Sequence, residues 1–151
     1  MVKKKAKVFY FSISLLFSLS YSFCYAIDNP DSPNLIQQFK NKTKNFIKKI
    51  DNPNNTNRDI IIAYHQYHRF LDNELNSVYQ FLQKNLPVKH KQALKKSQFK
   101  WLKYRDTEFN FIKNNWNRTN FGSSAILSRG AYQAKIIENR VIQLLQYSLN
   151  Y

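Results

Sequence analysis

Glycine is the residue that most constrains this chain: two of them, Gly122 and Gly130, serve 151 residues. A β-sandwich or barrel needs residues at positive φ in several hairpins, and a nucleotide-binding fold needs glycine where backbone meets phosphate. The count argues against both. Helices need few glycines, and the length sets one domain as the expectation. A single cysteine, Cys24, rules out an internal disulfide and a thiolate zinc cage. The expected fold is all-α.

The first 26 residues read as a secretory signal peptide. Lys3, Lys4, Lys5 and Lys7 precede an apolar stretch from Val8 to Phe23, and Cys24 and Ala26 occupy the two small-residue positions before a cleavage point after Ala26. A bilayer span wants about 20 continuous apolar residues. This run is shorter and is broken by Ser12, Ser14, Ser18, Ser20 and Ser22, which argues against a permanent anchor. Lipidation of Cys24 would want small residues just before it, and bulky Phe23 stands there. Cleavage removes four lysines and the only thiol, leaving 20 Lys+Arg against 9 Asp+Glu, a net charge of +11 on a chain that begins at Ile27. Small exported domains commonly supplement a limited core with disulfides. This one must rely on packing.

Residues 27–57 form a leader that carries one basic amphipathic helix. Ser32 as N-cap and Pro33 at N1 would open it. From Leu35 to Ile50, the residues Leu35, Ile36, Phe39, Phe46, Ile47 and Ile50 recur at close to a 3.6 period, with Lys40, Lys42, Lys44, Lys48 and Lys49 between them. Asp51 to Asn57, with Pro53, breaks the pattern. The helical domain proper spans 58–150. Its first long helix runs from Arg58 to about Asn85 with Leu71, Leu75, Val78 and Leu82 on one stripe. Pro87 precedes a second, from Val88 to about Asn115, carrying Leu94, Trp101, Leu102, Phe109 and Ile112. Asn114 to Ser124 reads as a polar loop. A last helix starts between Ser124 and Ala131 and presents Ile137, Val141, Leu144 and Ser148 on one face. Three long antiparallel helices plus the short basic one make a small bundle.

One ordered set of residues carries a family signature: Asp72-Asn73-Glu74-Leu75-Asn76, Tyr79, Leu94, Gln98, Trp101-Leu102, Tyr104-Arg105-Asp106, Gly122-Ser123 and Arg140. Over roughly residues 59–145 the chain resembles the LprI-like lysozyme-inhibitor domain family of exported bacterial proteins. Members usually carry cysteines in this domain. At the corresponding positions this chain has Phe109, Tyr132 and Ala63, and it has Phe121 before Gly122-Ser123 and Ile137 three residues before Arg140. If relatives bridge the first two positions, their joint replacement implies an aromatic contact in place of a disulfide.

The resemblance implies a non-enzymatic protein, periplasmic or secreted, that blocks a muramidase by protein–protein contact. Lysozyme cuts glycan with two carboxylates in a cleft. A protruding cation suits such a cleft, so Arg118, Gly122 and Ser123, between two helices, are the candidate binding residues. Many lysozymes are themselves basic, and +11 then means long-range repulsion during encounter. Leu75, Asn76, Tyr79, Gln98, Trp101, Arg105, Asp106 and Arg140 are read as helix clamps. Gln98, Trp101 and Arg105 share a face at i, i+3, i+7, Arg105 meeting Asp72 or Glu74 or stacking on Trp101. Asn76 and Tyr79 are expected to hydrogen-bond across the seam.

Catalytic and metal chemistry find little support. His65 and His68 at i, i+3 could share a metal, but only Asp72 lies one turn on and a site wants three or four ligands. Asp106 and Glu108, at i, i+2, point to different faces and form no acid–base pair. No cofactor motif is present. Asn41, Asn54 and Asn117 each begin an Asn-x-Thr sequon, among 18 Asn in all, which makes chance occurrence sufficient. A second reading is an envelope-surface binder whose Leu35–Ile50 helix inserts its apolar stripe at a headgroup boundary while its lysines meet anionic lipid or cell wall. Nucleic acid is disfavoured by export and by the lack of a recognised module, despite the Lys and aromatic residues mixed from Lys89 to Lys103.

Overall fold

The computed structural model describes residues 34–149; the signal-peptide segment and the expected Ser32 and Pro33 cap lie outside them. Five α-helices follow in order: α1, Leu35–Ile50; α2, Asn57–Asn85; α3, Val88–Asn115; a single turn α4, Arg118–Phe121; and α5, Ala125–Ser148, with a 3₁₀ turn at Gly122–Ser124. Among the described residues there is no strand. The all-α bundle expected from the glycine count is the fold.

Local chemistry explains the boundaries. Helix α1 starts later than the sequence suggested: Asn34 is its N-cap, Oδ1 accepting from the Gln37 N–H at 2.8 Å. At its other end Asn55 Nδ2 donates to the Lys49 and Ile50 carbonyls at 2.7 and 3.1 Å, closing the turn that Pro53 begins. A capping box opens α2, with the Thr56 hydroxyl accepting from the Asp59 N–H at 3.3 Å and the Asp59 carboxylate accepting from the Thr56 N–H at 3.0 Å. Leu86 and Pro87 separate α2 from α3. Pro87 has no N–H to extend α2, and its carbonyl accepts from both His90 and Lys91 at 2.9 Å to start α3.

Contact order gives the topology. Tyr64 and His68 early in α2 face Gly130 early in α5, and Val78 late in α2 shares a groove with Leu145 and Ser148 late in α5. These two helices therefore run parallel and form the most extensive contact in the molecule. Arg129 reaches back to Lys113 and Arg140 to Gln98, so α3 is antiparallel to α5. Helix α1 is antiparallel to α2, with Phe46 on Tyr67 and Phe70 and Lys42 on Glu74. The core lies along the parallel pair. Leu71, Leu82, Val141 and Leu144 are wholly buried, joined by Leu75, Val78, Ala134, Ile137 and Leu145, with Leu94 from α3 and Phe39 from α1.

Gly130 is what allows α2 and α5 to close: a Cβ there would stand 2.8 Å from Tyr64 Cγ. Helix α1 is docked. Phe39 is buried, and it stacks with Phe70, as Phe46 does at 4.6 Å. The stripe offered above to a lipid headgroup boundary is largely packed on the bundle, with Phe39 and Ile50 buried, Leu35, Ile36 and Phe46 half-buried, and Ile47 41% exposed. Lys40, Lys44, Lys48 and Lys49 stay exposed, while Lys42 pairs with Glu74 at 2.9 Å. No described helix is long and apolar enough to cross a membrane.

Candidate functional site

Segment 114–124, expected as a loop, is mostly ordered helix and turn. Asn117 accepts from the Asn120 N–H at 3.0 Å and caps α4, while its own Nδ2 donates to the Asn114 carbonyl at 2.9 Å. Asn120 Nδ2 donates to the Asn115 carbonyl at 3.1 Å. Such side-chain-to-backbone bonds are what asparagine does best. They shape a chain that composition alone labels irregular.

Gly122 ends α4 at φ +65°, the left-handed region where a side chain would strain the backbone, and a Cβ there would meet nothing within 4 Å. Glycine is thus needed for backbone shape. Trp116 buttresses the turn, with Phe121 at 6.1 Å and Tyr132 edge-on at 5.2 Å between ring centroids. Arg118, Gly122 and Ser123 lie together on this one exposed turn, the Gly122 N–H donating to the Arg118 carbonyl. Among the described residues the Arg118 guanidinium has no hydrogen-bond or ion-pair partner. The result is a braced turn with a free cation.

The anticipated disulfide replacement is not built. Tyr132 turns to Trp116, while Phe109 sits 5.9 Å under the Arg105 guanidinium and against the core, so the two aromatics take different partners.

Gln98, Trp101, Arg105 and Arg140 converge at the seam of α3 with α5 and α2. Arg140 is only 5% exposed, yet its guanidinium donates to Gln98 Oε1 at 3.0 Å, Ser97 Oγ at 3.3 Å and Gln143 Oε1, and lies 5.7 Å from the Trp101 ring. No described carboxylate pairs with it. Burial lowers its pKa from the ordinary value, but a guanidinium keeps its proton in proteins, so three neutral acceptors and an aromatic face hold a cation. Arg105 also stacks on Trp101, at 5.5 Å. It reaches Asp72 at 3.9 Å and Asp106 Oδ1 through Nη2 at 2.8 Å and Nε at 2.9 Å. Glu74, the alternative partner, belongs to Lys42.

Two expectations at this seam need correction. Asn76 is exposed, and Tyr79 packs its ring on the core; among the described residues neither hydrogen-bonds another helix. Leu75 lies in the core itself. Ser97 and Gln143 are not among the sequence candidates for Arg140 acceptors, although Gln143 sits at i+3 from it. The His68–Gly130 contact, in which Nε2 lies 2.9 Å from the carbonyl oxygen, is not among those candidates either. Burial lowers the His68 pKa, against the opposing pull of that hydrogen bond and of Asp72. The signal for this contact was a glycine inside a helical pattern. No described cluster of three or more His, Cys, Asp or Glu could hold a metal ion.

Comparison with curated proteins and with solved structures gives no match. The family model described as lysozyme inhibitor LprI matches residues 49–144, from the last turn of α1 through most of α5. That segment contains both the braced turn and the seam around Arg140. On this match, covering well over half of its length, the chain belongs to the LprI lysozyme inhibitor family.

Proposed function

We propose that this chain is an exported, non-enzymatic protein of the bacterial envelope that blocks a muramidase by protein–protein contact, presenting the Arg118–Ser124 turn to the catalytic cleft. Family membership supports the partner class. The observation that carries the choice of surface is the braced turn: an unpaired guanidinium on a projection fixed by asparagine caps, Gly122 and the Trp116–Phe121–Tyr132 cluster. A preformed projection loses less conformational entropy on entering a cleft than a flexible one. A cation placed between two carboxylates meets its charge complement in a region of reduced dielectric.

The proposed partner is reached after export, with the segment before Ile27 removed. Arg118→Glu tests the reading. It replaces the cation by a third carboxylate in an acidic cleft and should weaken inhibition of glycan lysis by about tenfold or more. Unchanged inhibition would remove the turn from the interface while leaving the family assignment standing.

A further inference from the structure

At the same end of the bundle as the turn, a second feature is concave. A cavity of about 240 Å³ lies between α2, the end of α3 and the start of α5, with Tyr64, His65, His68, Lys113, Arg129 and Gln133 in its wall. Lys113 and Arg129 are its cations, Ile61, Ile126 and Gly130 complete the wall, and no carboxylate lines the space. Asp51 and Asp72 influence Tyr64 and His68 only from beyond the wall.

Two of these groups are held there by the fold. Arg129 Nη1 donates to the Lys113 carbonyl at 3.2 Å, which pins the guanidinium at the rim and leaves its other N–H groups without described partners. His68 is fixed by Nε2–H on the Gly130 carbonyl, which leaves Nδ1 of the neutral ring as an acceptor, so the imidazole marks the wall without adding a charge to it. Lys113 and Arg129 face the space with no lining carboxylate to offset them, and an incoming anion relieves that repulsion. At about 240 Å³ the space is smaller than the roughly 300 to 1,000 Å³ of pockets for drug-sized ligands and suits a guest of about one ring.

We propose that this cavity binds a compact oxyanion, a carboxylate or a phosphate, carried on a body no larger than one sugar ring. Arg129 is the principal contact, with Lys113 beside it and the two imidazoles facing them. Gln133 and Tyr64 are placed for hydroxyls. The site is independent of the muramidase reading, because its occupancy is measured with no lysozyme present.

The chain has three histidines, and the third is a built-in reference. His90 sits in the first turn of α3, 23 residues before Lys113 and so about 35 Å away at 1.5 Å per residue. The exported protein, labelled with ¹⁵N, would be titrated with glucuronate, glucose 6-phosphate and glucose while the imidazoles are followed by long-range ¹H–¹⁵N correlation. Saturable shifts at His65 and His68 are expected with at least one anionic sugar, with no shift at His90 and none with glucose. The anion that saturates at lower concentration identifies the oxyanion. Arg129→Gln should weaken binding about tenfold by removing a charge-assisted contact. If that variant does not fold, Lys113→Gln, at an exposed position, replaces it. A response to glucose, movement of His90 in step with the others, no response to either anion, or undiminished binding in the variant would overturn the site.

Discussion

Two buried polar residues in this bundle have opposite energetics. Gln98 supplies an acceptor to a buried guanidinium, so Gln98→Ala leaves the Arg140 Nε–H unpaired and should cost about 1–3 kcal/mol in chemical denaturation. Tyr67 is 2% exposed, and its hydroxyl forms no hydrogen bond; the neighbouring Thr43 hydroxyl is spent on the Lys40 carbonyl at 2.8 Å. Burial drives the phenol pKa well above its usual range. Tyr67→Phe removes a buried group already without a partner and should change stability by less than about 1 kcal/mol, in the neutral or stabilising direction. His68 sets a pH dependence. Its folded-state pKa lies below the unfolded value near 6.5, so the folded state binds fewer protons. The stability it contributes is present above that value and is lost as pH falls through the lowered folded pKa. Melting temperature should therefore drop between pH 7.5 and 5.5, and His68→Gln should flatten that drop; an unaltered slope in the variant would assign it to other groups.

At the scale of elements, α1 is joined to the bundle mainly through aromatic stacking. Phe39→Ala should destabilise by about 3–5 kcal/mol, as large-to-small changes at buried aromatics do. A loss below about 1 kcal/mol would mean that α1 contributes little to the fold. The helices themselves were legible in the sequence because their stripes are strongly periodic: Leu71, Leu75, Val78 and Leu82 in α2, and Ile137, Val141, Leu144 and Ser148 in α5, are all buried. Where α1 docks was not legible, since an apolar stripe with lysines behind it fits a bundle or a lipid surface equally well. The turn at Arg118 was misread for a different reason. Its order comes from Asn117 and Asn120 side chains bonding to nearby backbone, and asparagine is ordinarily a mark of irregular chain. The clamp was half legible. Gln98, Trp101 and Arg105 share a face as their spacing requires, and Arg140 joins them, but helical spacing cannot tell that Arg140 would take neutral acceptors in place of an acid.

For the whole molecule, both glycines serve geometry that no other residue provides as readily: Gly130 lets the central parallel pair close, and Gly122 turns the chain back toward α5. The described residues contain no cysteine, so the bundle is held by this packing, and it offers its partners an outer surface rich in positive charge. That charge makes a specific demand on the proposed activity. Against a basic lysozyme, long-range repulsion slows encounter at low salt, where the Debye length is about 30 Å at 0.01 M, and is largely screened near 0.15 M, where it is about 8 Å. Turbidity loss of a cell-wall suspension under a basic lysozyme, with the exported protein added across that salt range and each rate compared with the uninhibited rate at the same salt, is the most direct measurement. Saturable slowing of lysis that develops faster at 0.15 M than at 0.01 M is the predicted result. Lysis that proceeds at the uninhibited rate at every salt concentration, with the protein folded and in excess, would contradict it.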